Sequence, residues 1–148
     1  MTWKDITSVN DANELVDLFG GFHDACIREA HLFTDHYING DLSMNCPGNL
    51  DTSIRFVVQR QFRNTACIEL LFGGVTRCNL VPTPDNYDSI IYEAKIGIEN
   101  GEIYWVLDTD RPPSKCKANR DTWVSSKTLK WRPNDEFLGK ELHFGNDT

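Results

Sequence analysis

Apolar residues recur along the chain with two different periods, and the change from one to the other sets the first expectation about the fold. Ala12, Leu15, Val16 and Phe19 stand at i, i+3, i+4 and i+7, which places them on one face of a helix. Ser8 and Asn10 both suit an N-cap, and Asp11, three residues after Ser8, offers a weak capping box. Asp11, Glu14 and Asp17 fall largely outside the apolar stripe, so the exposed side is acidic. Gly20 fits the left-handed position after the helix, and Gly21 loosens the exit.

Beyond that glycine pair the period shortens to two. Asp24 to Phe33 reads as a strand whose alternation is interrupted by Arg28, Glu29 and His31, as at a bulge or a partly exposed edge. Asn39-Gly40-Asp41 is a turn, Met44 and Cys46 suit a short strand, and Cys46-Pro47-Gly48-Asn49 turns again. From Ser53 to Phe62, Ile54, Phe56, Val58 and Phe62 share one face while Arg55, Gln59, Gln61 and Arg63 mostly take the other, with an interruption at Arg60. Ala66 to Phe72 follows, and Gly73-Gly74 breaks or bulges it before Val75 to Val81.

The sharpest local signal is Asn100-Gly101, a dipeptide suited to the type I′ turn of a tight hairpin. A two-residue loop pairs Glu99 with Glu102, Ile98 with Ile103, Ile96 with Trp105 and Ala94 with Leu107. The apolar pairs share one face, so register and burial agree, and the two glutamates repel only slightly. Thr122 to Trp131 is again strand. The stretch 133–148 reads as a loosely held tail that Phe137, Leu142 and Phe144 can dock.

These patterns predict one α+β domain over residues 1–148: a mainly antiparallel sheet of about six to eight strands, curved or doubled back, with one N-terminal amphipathic helix packed on it. The 148 residues suffice for one core. Composition changes the picture chiefly through charge. With 22 acidic against 15 basic residues the net charge is −7, which argues against a general nucleic-acid binder and suits a basic protein partner. No apolar run is long enough to span a bilayer and Met1-Thr2-Trp3-Lys4-Asp5 lacks the apolar core of a signal peptide, so the expected location is the cytoplasm, without membrane association. Cys26, Cys46, Cys67, Cys78 and Cys116 are odd in number and contain no Cys-x-x-Cys pair; they read as reduced, with Cys26, Cys67 and Cys78 as small core residues in strands. Trp3, Trp105, Trp123 and Trp131 read as core anchors.

Candidate chemistry is sparse. His23 and Asp24 follow the glycine corner, and an imidazole beside a carboxylate suits a general base or a metal ligand. Adjacent strand residues point to opposite faces, however, so a structural role at the corner is the simpler reading. His23 and His31 share a parity but lie roughly 26 Å apart in an unbroken strand at about 3.3 Å per residue, so no metal site is predicted from them. There is no nucleophile elbow, no activated cysteine context and no glycine-rich phosphate loop, hence no expected cofactor. The run from Thr109 to Asp121 is basic: Arg111, Lys115, Lys117 and Arg120 either line a solvated connection or make a contact patch for an anion or acidic partner. Arg55, Arg60 and Arg63 read as a solvated face or a protein contact.

Phe19-Gly20-Gly21-Phe22-His23-Asp24-Ala25-Cys26-Ile27, with Ile68-Glu69-Leu70-Leu71-Phe72 and Ile103-Tyr104-Trp105, resembles a group of small bacterial proteins of uncharacterised function. Such groups include immunity proteins that neutralise toxins of neighbouring cells, and the resemblance, which covers most of the chain, carries no active-site assignment. Two expectations therefore stand side by side: a non-enzymatic, acidic, protein-binding module of immunity type, and a small enzyme or ligand-binding protein with a site near His23 and Asp24.

Overall fold

The computed structural model describes residues 2–145. A short strand, β1 (Lys4–Ile6), leads into α1 (Val9–Leu18), the one α-helix among the described residues, and a 3-10 turn at Gly20–Phe22 delivers the chain to β2 (Ala25–Phe33). There follow β3 (Tyr37–Ile38), β4 (Met44–Asn45), β5 (Ser53–Arg60), β6 (Cys67–Asn79), β7 (Ala94–Glu99), β8 (Glu102–Leu107) and β9 (Trp123–Pro133). The main sheet runs β2-β5-β6-β9-β8-β7, and every neighbouring pair is antiparallel. The second edge of β9 is shared: β8 pairs with its first part, from Trp123 to Ser126, and β1 with Leu129 to Trp131. The pair β3-β4 forms a separate two-stranded sheet.

The ends of that order meet. Ile91, just ahead of β7, bridges to Ala25 at the start of β2, with Ile91 N–H donating to Ala25 O at 2.7 Å and Asp24 N–H donating to Ile91 O at 3.0 Å. Helix α1 lies against β7 and β1 and directs Ala12, Leu15 and Phe19 into the core, with exposures of 1%, 0% and 0%. Ser8 is its N-cap, accepting from Asp11 N–H at 3.2 Å. The expected capping box is displaced by one residue, because the Asp11 carboxylate takes the amide and hydroxyl of Thr7.

Trp105 is central to the core. Phe22 and Phe56 approach it edge-on or tilted with ring centroids 5.7 and 5.1 Å away, and Phe72 lies at 6.0 Å. Such aromatic pairs add about 0.5–1.5 kcal/mol each beyond the area they bury. The hairpin of β7 and β8 has the predicted register, with Asn100 and Gly101 at φ +53° and +76° as a type I′ turn requires. The two turn glutamates are each satisfied elsewhere: Glu99 accepts from Ser114, and Glu102 from Thr76 and Ser125.

Several expectations are corrected. Of the two outcomes expected at Gly73-Gly74, a break or a bulge, the first does not occur: β6 continues to Asn79 with a bulge just beyond, between Val75 and Arg77. A Cβ on Gly73 would lie 2.5 Å from Thr128 Oγ1, so glycine lets β6 and β9 approach there. The irregularity shifts the alternation, and Cys78 is exposed rather than core. Phe62 lies past the end of β5 and is exposed. Trp3 is half-buried on the outer surface. The stretch after Pro133 meets the sheet at several points among the described residues, while Leu138 and Leu142 stay about half exposed. Asp135 accepts from the amides of Ala66 and Cys67, Gln59 Nε2 donates to the carbonyls of Phe137 and Gly139, and Glu29 accepts from His143 and Phe144. No described helix is long and apolar enough to cross a membrane.

Candidate functional site

The corner that carries His23 and Asp24 is built from left-handed backbone. Gly20, Gly21, Phe22 and Asp24 have φ of +59°, +68°, +62° and +58°. Glycine adopts that region freely, but for Phe22 it costs on the order of 1–2 kcal/mol. Complete burial of the Phe22 ring against Phe19 and Trp105 contributes about 1.5–3 kcal/mol plus the aromatic pairing, which outweighs the strain. A Cβ on Gly20 would also lie 2.9 Å from Arg60 Nη1, so the tip of that side chain would have to move.

His23 emerges from this corner into solvent, its side chain 58% exposed. Nδ1 donates to the carbonyl of Tyr92 at 2.9 Å, which fixes the proton on that nitrogen. Nε2 faces Asp24 Oδ2 at 3.5 Å. A general base needs one ring nitrogen held by the protein and the other turned to substrate. His23 meets the first condition through Tyr92, and its Nε2 has no hydrogen bond among the described residues, but the ring borders neither of the two cavities beside the corner. The structure therefore brings His23 and Asp24 together, and through Tyr92 His23 also ties the corner to the segment before β7.

Asp24 itself borders a shallow cavity of about 240 Å³ with Cys26, Gln59, Arg60, Gln61 and Leu138. A neighbouring depression of about 430 Å³ shares Arg60, Gln61 and Leu138 and adds Phe62, Arg63 and Asp135. Arg60 is laid over the ring of Phe19 at 4.7 Å and donates from Nε to Thr65 O at 2.7 Å. Burial lowers its pKa, partly offset by the charge of Asp135. This arginine secures the corner from below. The other histidines are apart: His36 Nδ1 is 2.8 Å from Asp51 Oδ2, His31 stacks near Phe144, and His143 stacks on Phe137 with centroids 3.7 Å apart. Among the described residues no group of three or more His, Cys, Asp or Glu side chains is placed to hold a metal ion.

The basic connection divides. Arg111 makes a two-pronged pair with Asp121, Nη2 lying 2.9 Å from both carboxylate oxygens, and Asp121 also accepts from Lys117 N–H at 2.7 Å. Burial would raise the Asp121 pKa, but the Lys117 amide and the Arg111 guanidinium outweigh it and hold the carboxyl below its ordinary value. Arg111 is thus a brace for its own loop. Lys115, Lys117 and Arg120 are exposed, and among the described residues none has an ion-pair partner.

Sequence reasoning missed the most tightly built charged cluster. Glu69, on β6, is wholly buried on the outer side of the sheet, where Arg55 of β5 donates to Oε1, Arg132 of β9 to Oε2 at 2.5 Å and Asn134 to Oε2 at 3.1 Å. Trp3 closes over it, its ring 4.3 Å from the Arg132 guanidinium and 5.5 Å from that of Arg55. A glutamate inside the apolar run from Cys67 to Phe72 was the one available signal. Comparison of the chain with protein-family models, with curated proteins and with solved structures gives no match.

Proposed function

We propose that this chain is a non-enzymatic, acidic protein-binding module of immunity type, which neutralises a basic toxin by occupying it. In this reading the sheet is curved, its ends drawn together by the Ala25–Ile91 bridge, and serves as a rigid frame for recognition surfaces. The observation that carries the proposal is the surface: large apolar side chains stand in solvent among acidic ones. Leu42, Met44 and Tyr87 are 83%, 65% and 74% exposed, in a chain of net charge −7. Apolar anchors within a field of one sign suit a partner of the opposite sign, with the charge speeding encounter and the anchors supplying affinity.

The test is co-purification. An affinity-tagged chain expressed in its native host should recover one basic protein in near-stoichiometric amount, released by raised salt. Recovery of nothing above the untagged control would overturn the proposal. The alternative, a small enzyme or ligand-binding protein with a site near His23 and Asp24, draws on the cavity that Asp24 shares with Arg60; it predicts that Asp24→Asn and His23→Ala each weaken binding or activity without unfolding the chain.

A further inference from the structure

We propose that the arm formed by residues 34–52, together with the exposed end of β2, is the element that docks a basic protein partner. The inference rests on the protein-binding reading above and assigns it a place. Between Glu29 and Ile54 the sequence contains no lysine or arginine, while Asp35, Asp41 and Asp51 all fall there. The same stretch leaves Leu32, Tyr37, Ile38, Leu42, Met44 and Leu50 at least half exposed. Apolar anchors and negative charge without lysine or arginine thus coincide in one arm, with Asp35 and Asp41 exposed and Asp51 turned to His36.

Nothing in the fold requires those side chains to be where they are. Among the described residues β3 and β4 pair only with each other, and no residue from Leu32 to Ser53 is buried. The arm nevertheless has a defined shape. Asn39 N–H donates to Ser43 O at 2.8 Å, Asp41 accepts from the amide and hydroxyl of Ser43, and Asn45 Nδ2 donates to Tyr37 at 2.9 Å. His36 on one limb meets Asp51 on the other. Holding exposed apolar groups in a fixed hairpin lowers the ordering cost of binding. The arm also continues from β2, an edge strand that, after the bridge at Ala25, pairs with β5 alone among the described residues.

The rival surface is less free. In the connection between β6 and β7, Ile91 is buried, the Tyr92 amide is held by Asp108, its carbonyl takes His23, and its hydroxyl donates to Asp88. Charge selects the occupant. A second copy of the chain would set one acidic arm against another, and an anionic lipid surface would repel it equally. A basic protein offering aliphatic or aromatic side chains complements both properties.

The full-length protein, immobilised, is panned against a phage-displayed random-peptide library, and the selected peptides are titrated on variants. The expected peptides combine lysine or arginine with apolar residues. They should bind Ile38→Ser/Leu42→Ser/Met44→Ser about tenfold or more weakly, bind Asp35→Lys several-fold more weakly with a reduced salt dependence, and bind Tyr87→Ser as wild type. The three serine positions are exposed, so an unchanged melting temperature confirms that the variant is folded. Basic peptides that bind the serine variant as tightly as wild type would overturn the arm while leaving the protein-binding reading in place. Acidic or uncharged selected peptides would overturn the charge argument. Failure to enrich any peptide would overturn the arm as a docking element, and co-purification from the native host then decides the broader reading independently.

Discussion

Replacing Glu69 with glutamine keeps the shape of the side chain and removes its charge from beneath Trp3. One acceptor oxygen becomes an amide that points N–H groups at an arginine, so a buried donor faces a donor. Removing one member of a buried ion pair costs about 3–5 kcal/mol. Arg55 and Arg132 keep 27% and 24% of their side-chain surface in water and recover part of their hydration, which places Glu69→Gln near the lower end, about 3 kcal/mol. For a chain of this size that corresponds to a fall in Tm of about 6–12 °C. Burial pushes the Glu69 pKa up, but Arg132, Arg55 and Asn134 outweigh it and hold it below the ordinary 4.5. A carboxyl depressed on folding contributes stability above its unfolded pKa and loses it as pH falls through the folded one. The gap between wild type and variant should therefore be full at neutral pH and shrink in acid below 4.5. Urea unfolding followed by tryptophan fluorescence at several pH values measures it. A gap under about 1 kcal/mol at neutral pH, or one that persists undiminished in acid, would refute the reasoning and make the cluster a solvated surface pair.

Two further substitutions probe the corner and the basic loop. Gly20→Ala should destabilise by roughly 2 kcal/mol, because it adds a left-handed alanine and displaces Arg60, whereas Gly21→Ala, equally left-handed but open, should cost roughly 1 kcal/mol. Calorimetry that ranks them the other way would remove the case for close approach at Gly20. Arg111→Ala strands the nearly buried Asp121 and should cost about 2 kcal/mol, less than the roughly 3–5 kcal/mol of a fully buried pair because Arg111 is a third exposed. Limited trypsin digestion should then cut faster after Lys115 and Lys117; an unchanged cleavage rate would mean that the loop is held by other means.

What could be read from the chain was local. The stop of α1 at the glycines, the register of β7 and β8 and the antiparallel character of the sheet all follow from residues close in sequence. Where parity was extrapolated past an irregularity it failed: Cys78 lies beyond a bulge and Phe62 beyond the turn out of β5. Strand order was not legible, because it depends on which distant edges pair, as when β9 divides one side between β8 and β1. Glu69 was hidden for the same reason, its partners Arg55 and Arg132 lying 14 and 63 positions away. The role of His23 turned on Tyr92, 69 positions along the chain. The weak point of the reading by pattern was therefore separation in sequence, not ambiguity of any one segment.

The bridge between Ala25 and Ile91 also has a kinetic meaning. It joins positions far apart in the chain through two backbone hydrogen bonds, so it closes a long loop for little local reward. Contacts of that kind form late and open first. The amides of Asp24 and Ile91 should thus exchange with solvent through a small opening that leaves β5, β6 and β9 intact. The chain then has a seam, and the corner beside it acts as the latch.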